Sequence, residues 1–223
     1  MSRAPTPKKK LFEHLARVAK ALAHPGRLEL LEALAQGERS VEALAASVGN
    51  SVANTSHHLQ VLREGGLVRS RKEGLQVFYS LSDSQTPVAL LTALRRVGEL
   101  YLAEIDRIVR EQLADGEGLT PVRREELLRL VRTKRAIVID VRPPAEYRAG
   151  HIRGAINVPL EAFPRKLRQF SRDREIVAYC RGPYCMLAVD AVKKLRRRGF
   201  HARRLEDGYP EWKARRLPVD AGE

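Results

Sequence analysis

The apolar pattern of this chain changes period part-way along, and that change restricts it to two kinds of core. From "LFEHLARVAKALAHPGRLELLEALAQGE" through "SVEALAASVG" to "NSVANTSHHLQVLREGGLV", apolar residues recur at three and four spacings, the period of amphipathic helices of about 10 to 14 residues. Beyond "ADGEGLTP", residues 114–121, short β-branched runs take over: "AIVIDVR" (136–142) and "EIVAYC" (175–180). Such runs belong in a parallel sheet buried on both faces. A length of 223 residues exceeds the usual domain of about 100 to 200. Two domains are therefore expected, a mainly α domain over 11–114 and an α/β domain with a central parallel sheet over 122–220. Residues 115–121 read as the linker and the basic residues 1–10 as a disordered tail.

Glycines punctuate the first half at Pro25-Gly26, Gly37, Gly49 and Gly65-Gly66, where helices end. "GLVRSRKEGLQVFYSLS" then alternates apolar and polar residues on both sides of Lys72-Glu73-Gly74, which predicts a hairpin. The run from Pro87 to Ala114 carries an apolar stripe of Leu90, Leu91, Leu94, Val97, Tyr101, Ile105, Ile108 and Leu113. That stripe has no evident partner in so small a domain. Thr120 and Pro121 suit the start of a further helix.

Net charge is +14, which invites a phosphate-bearing partner. The charge is uneven: residues 1–116 hold 16 Lys and Arg against 13 Asp and Glu, and residues 117–223 hold 25 against 14. Most of the excess lies outside the helical half, and a general preference for Arg (31, against 10 Lys) accounts for it equally well. The N-terminus has no apolar segment of signal-peptide type and no run suits a membrane span, so a cytoplasmic protein is expected. Two cysteines do not make a disulfide framework; placed together, they suit catalysis, redox sensing or soft-metal binding.

Two short helices, a tight Gly turn and a hairpin form the layout of a winged helix-turn-helix. On the second helix Asn54, Ser56, His57, His58, Gln60 and Arg63 offer base-edge and phosphate donors. Arg69, Arg71 and Lys72 of the hairpin would reach a flanking groove. The segments "ALAHPGRLELLEAL" and "SVEALAASVGNSVANTSHHLQVLREGGLVRSRKEGLQVFYSL" resemble the ArsR-type repressors, dimeric winged-helix proteins that leave their operators on sensing a ligand. The resemblance implies homodimerisation through 87–114 and the helix near Leu11–Leu22, with double-stranded operator DNA as partner. Metal-sensing members carry thiols where this chain reads "RSVEALA", or His on the dimerisation helix, where residues 87–114 have none. No metal and no cofactor are expected, and the effector site lies elsewhere.

The second half supplies it. Cys180 ends an apolar strand before the helical pattern "YCMLAVDAVKKLRRRGF", where a helix N-terminus and the adjacent Arg181 favour the thiolate. A buried structural Cys is the other reading of such a position taken alone. "VIDVRPPAEYRAGHIRGAINVP", "IVAYCRGPYC" and "RRLEDGYPEWKARRLPV" resemble, in order and spacing, the single-domain rhodanese sulfurtransferases. That resemblance implies Cys180 as a persulfide carrier cradled by Arg181, Gly182, Pro183, Tyr184, Cys185 and Met186, loaded by a sulfane-sulfur donor such as thiosulfate, polysulfide or a persulfide. Asp140 and Arg142 are expected to be structural or to support the site residues from behind. Related folds acting on phosphate or arsenate use Cys-x5-Arg; here Met186 stands at the Arg position. Pro183 removes one N–H from the cradle. Cys185 either resolves a modified Cys180 into a disulfide or polysulfide bridge or packs inward as a small hydrophobe. The expected protein is a dimeric repressor sensing reactive sulfur at Cys180 with Cys185. A sulfurtransferase carried on a DNA-binding dimer and an arsenite or other soft-ion sensor are the alternatives.

Overall fold

The computed structural model describes residues 6–113, 120–167 and 170–222, and the chain divides into two compact units between Pro87 and Val88. The first unit holds α1 (Pro7–Leu22), α2 (Pro25–Ala35), β1 (Arg39–Ser40), α3 (Val41–Val48), α4 (Val52–Glu64), β2 (Val68–Glu73) and β3 (Gln76–Leu81), and the first two residues of α5 (Thr86–Tyr101). Short polar side chains set the helix starts. Ser40 and Ser51 cap α3 and α4 by accepting from the Ala43 and Asn54 amides at 3.3 and 3.2 Å, each satisfying an amide that the first turn leaves free. Gly49, at φ +67°, ends α3 in the left-handed region. Leu30, Leu31, Leu44, Leu59 and Leu62 bury completely between these helices.

The expected hairpin is β2–β3, with Gly74 at φ +59° in its turn. The two-residue β1 joins it as a third strand on β3. Within the predicted tail, residues 1–5 lie outside the described residues. Lys8–Lys10 are not disordered; they form the first turn of α1, because Thr6 caps it and Pro7 stands at its first position.

The second unit begins within α5, so the helix grouped by sequence with the first domain lies, from Val88 onward, with the second unit by its contacts. α5 stops at Tyr101; Leu102 is extended and α6 (Ala103–Ile108) restarts, running into a π-helical turn at Val109–Leu113. The expected stripe is thus broken rather than one helix. At Gly98 the chain can fold back, since a Cβ there would sit 2.7 Å from Ile105 Cδ1. Five of the seven linker residues, 115–119, lie outside the described residues.

Pro121 does not open a helix. The Val122 amide donates to Arg204 at 2.8 Å and Val122 accepts from the Glu206 amide at 2.9 Å, a β-bridge that holds the chain extended until α7 (Arg124–Arg132). There follow β4 (Ala136–Asp140), α8 (Pro144–Ala149), β5 (His151–Ile152), β6 (Ile156–Asn157), α9 (Phe163–Lys166), β7 (Glu175–Tyr179), α10 (Met186–Arg196), β8 (Ala202–Arg204), α11 (Tyr209–Ala214) and β9 (Val219–Asp220). The sheet runs β6-β4-β7-β8, parallel throughout, and β5–β9 pair separately as antiparallel strands. Alternation assigns its faces: Ile137, Ile139, Ile176, Ala178 and Cys180 join α10 in one core, while Val138, Val177 and Tyr179 join Tyr209 and Trp212 in the other.

Asp140 and Arg142 are wholly buried, as the sequence reading expected of structural residues. Arg142 Nη2 donates to Asp140 Oδ2 at 2.6 Å and to the Gly150 carbonyl at 2.7 Å. The Tyr179 hydroxyl donates to the same Oδ2 at 2.6 Å and accepts from the Ile152 amide at 3.0 Å. Burial and the Asp140 charge push the Tyr179 phenol well above its ordinary range, so it stays a donor. Removing one side of a buried pair strands the other charge, at a cost of about 3–5 kcal/mol. Arg142→Met is expected to lower the unfolding free energy of the second unit by about that amount, followed in denaturant by fluorescence of Trp212, the single tryptophan.

Candidate functional site

Two regions collect the chemistry that the sequence singled out, one in each unit. In the second, β7 delivers Cys180 to the carboxyl end of the sheet and the chain turns through Arg181–Tyr184 into α10. Cys180 is buried and Cys185 half-buried; the two form a disulfide with Cα atoms 6.2 Å apart. The Cys185 amide closes the turn onto the Gly182 carbonyl at 3.1 Å, and Cys185 is itself the residue capping α10. Both sulfurs therefore lie at the positive end of an eleven-residue helix, which favours a thiolate when the bridge is open.

Three neighbours fix the loop. Arg181 forms a two-pronged ion pair with buried Glu146 of α8, at 2.7 Å from Nη2 and 3.0 Å from Nε. The cation that the sequence places beside Cys180 is thereby paired with a carboxylate, and the pair ties the loop to α8. The Tyr209 amide donates to the Cys180 carbonyl at 3.0 Å. Gly208 lies so close that a Cβ on it would come within 2.5 Å of Gly182 Cα and N. Pro183 offers its carbonyl toward Arg204 at 3.5 Å, Tyr184 is exposed with its hydroxyl on Glu99 Oε1 at 2.9 Å, and Met186 is exposed as the first residue of α10. Glu146 and Gly208 stand within the quoted motif segments but were not singled out there; Glu99 gave no sequence signal, since its partner is 85 positions away.

In the first unit α4 presents Asn54, Ser56, His57, Gln60 and Arg63 to solvent, and Arg69, Arg71 and Lys72 are exposed on the hairpin. His58 does not join them. One position on from His57, it turns inward and is 5% exposed, with its ring 4.3 Å from that of His24. Burial, with the nearby His24, Arg27 and His57, lowers its pKa, so His58 packs into the core rather than sharing the solvent-facing side of α4. Arg71 is tied to Glu38 and Glu73 at 2.7 and 2.5 Å and lies over the Phe78 ring at 4.7 Å. Arg63 donates to Ser70 at 3.3 Å, bracing helix against hairpin.

Two family models match: "Bacterial regulatory protein, arsR family" over residues 24–70 and "Rhodanese-like domain" over 123–215. Along nearly its whole length the chain is similar to the HTH-type transcriptional regulator Rv0324 of Mycobacterium tuberculosis, 44% identical over 213 residues, covering 95% of this chain and 92% of that protein. The chain belongs to the ArsR family of transcriptional regulators and carries a rhodanese-like domain. Among solved structures, the regulator matches the homodimeric winged helix-turn-helix DNA-binding domain of Mb0332 from Mycobacterium bovis at 38% identity, over 47% of this chain and 95% of that one, with a TM-score of 0.41. It also matches a rhodanese-related protein from Thermoplasma volcanium at 25% identity, over 46% and 98%, with a TM-score of 0.41. No helix among the described residues is long and apolar enough to cross a membrane.

Because Gly208 touches loop backbone rather than a side-chain end, a methyl there must displace the loop. Gly208→Ala is expected to shift the Cys180–Cys185 equilibrium toward the dithiol by about tenfold, in line with an overpacking cost of about 1–3 kcal/mol. Alkylation after equilibration in glutathione buffers reads that shift; an unchanged equilibrium would show that the loop does not depend on this close approach.

Proposed function

We propose that this regulator is a homodimeric repressor whose rhodanese-like domain senses sulfane sulfur at Cys180, with Cys185 as the resolving thiol. One observation carries the reading: the only two cysteines are bridged in the loop at the end of β7, in a chain similar over 95% of its length to a transcriptional regulator. In the first step the Cys180 thiolate attacks the outer sulfur of a donor R–S–SH. A Sγ–S bond forms and R–S⁻ leaves with the electron pair of the broken bond. In the second, the Cys185 thiolate attacks Cys180 Sγ and hydrosulfide departs. Two thiols are oxidised to the disulfide, the sulfane sulfur is reduced to sulfide, and the protons leave on RSH and H2S. Attack from within the loop makes the second step intramolecular.

DNA contact is assigned to the exposed face of α4, Asn54, Ser56, His57, Gln60 and Arg63, with Arg69, Arg71 and Lys72 on the hairpin. Self-association is assigned to the exposed apolar residues Leu11, Phe12 and Leu15 of α1 and Leu94, Val97, Leu100 and Tyr101 of α5, 44–78% exposed in the single chain. Uncovered apolar patches of that kind mark interfaces.

The test is operator binding by the reduced protein, with the upstream region of its own gene as probe, before and after polysulfide. Release of wild type with retention of Cys180→Ser is expected, and Cys185→Ser is expected to load sulfur yet stay bound. A wild type that converts thiosulfate and cyanide to thiocyanate rapidly while holding its DNA unchanged would make the domain an enzyme instead. For the DNA face, Arg69→Ala and Lys72→Ala are each expected to lower the slope of log K against log salt by about 1. Arg71→Ala should change it least, because Glu38 and Glu73 already match that charge.

A further inference from the structure

Tyr184, next to Cys185 within the bridged loop, reaches α5. Its hydroxyl donates to Glu99 Oε1 at 2.9 Å, and burial together with Glu99 raises the phenol pKa, so it remains a donor at neutral pH. Beside this bond lies Arg95, one turn earlier on α5. Its side chain is only 18% exposed, yet Nε is buried without a hydrogen-bond acceptor. Three groups surround it: Glu99 Oε1, one turn on, at 3.6 Å, and from distant segments Glu211 Oε1 at 3.9 Å and the Tyr184 ring at 6.0 Å. Glu211 in turn accepts from the Gly208 amide at 3.0 Å, and Gly208 is the residue pressed against Gly182 of the loop. The bridged loop therefore touches α5 by two routes, through Tyr184 directly and through Gly208 and Glu211 to Arg95.

We propose that the Cys180–Cys185 loop reports its state to α5 through Tyr184, Glu99 and Arg95, so that opening the sulfur bridge loosens the half of α5 that carries its exposed apolar face. This rests on the reading of the two thiols as a sulfur-responsive pair. Bridging ties Tyr184 to the strand end through its neighbour Cys185. With the bridge open, the loop remains pinned at Gly182 by Gly208, and the freedom gained falls on the Tyr184 side. A displaced Tyr184 leaves Glu99 without its donor and opens Arg95 to water. Arg95 and Glu99 alternate along α5 with Leu94, Val97 and Leu100, which are 44–63% exposed. The helix itself begins with Thr86 and Pro87 of the first unit.

Hydrogen exchange of the full-length protein tests this, comparing the disulfide form with the form reduced by dithiothreitol. Peptides spanning 94–101 are expected to exchange about tenfold faster in the reduced wild type, the scale of one hydrogen bond to a charged group. In Tyr184→Phe, which keeps the ring beside Arg95 and loses only the hydroxyl, and in Glu99→Ala, the two forms are expected to exchange alike. Mass spectrometry should show the Cys180–Cys185 bridge forming in both variants as in wild type. Equal exchange in the two wild-type forms, or a full difference retained in Tyr184→Phe, would overturn the proposal. Failure of polysulfide to release operator DNA while the exchange difference persists would instead remove the sulfur-sensing function and leave this contact standing.

Discussion

Arg142 is the tie on which the second unit depends. Its guanidinium, with no exposed surface, joins Asp140 at the end of β4 to the Gly150 carbonyl and lies 4.3 Å from the centre of the Tyr209 ring. Tyr179, the last residue of β7, hydrogen-bonds the same Asp140. The ends of the two central strands and the start of α11 are thus gathered around one charge pair. A cation removed from water is tolerated only where its donors are met, and here carboxylate and carbonyl oxygens meet them. The residue after Tyr179 is Cys180, and the Tyr209 amide holds its carbonyl, so the placement of the sulfur loop follows from this buried network.

Around that anchor the loop is fixed by contacts of different hardness. The Arg181–Glu146 pair is electrostatic and partly covered, whereas Gly208 against Gly182 is a backbone approach with no room for a methyl. One end of the loop is therefore rigid and the other, at Tyr184, rests on a half-exposed hydrogen bond. That asymmetry is the basis of the proposed route from the sulfur bridge to α5.

Periodicity made the large divisions legible. The shift from helical spacing to β-branched runs located a helical unit and a parallel sheet, Gly49 and Gly65-Gly66 marked the ends of helices, and β4 and β7 fall where "AIVIDVR" and "EIVAYC" stand. Elements that rely on distant partners were not legible. Val122 is held extended by Arg204 and Glu206, more than eighty positions away, so its neighbour Pro121 was misread as a helix start. His58 looked like a member of a polar helix face, because a run of polar residues hides which of them points inward. Only the ring of His24, brought beside it by the packing of α2 on α4, shows that it belongs to the core.

The sequence by itself determined two domains, a winged helix-turn-helix layout and a thiol at the end of a central strand, because each depends on local period, turn chemistry or neighbouring residue types. Tertiary structure alone decided that Arg181 is matched by Glu146, that Gly208 seats the loop, and that Tyr184 meets Glu99 on α5. These are meetings of residues 26 to 85 positions apart, and no local pattern encodes a distance across a folded core.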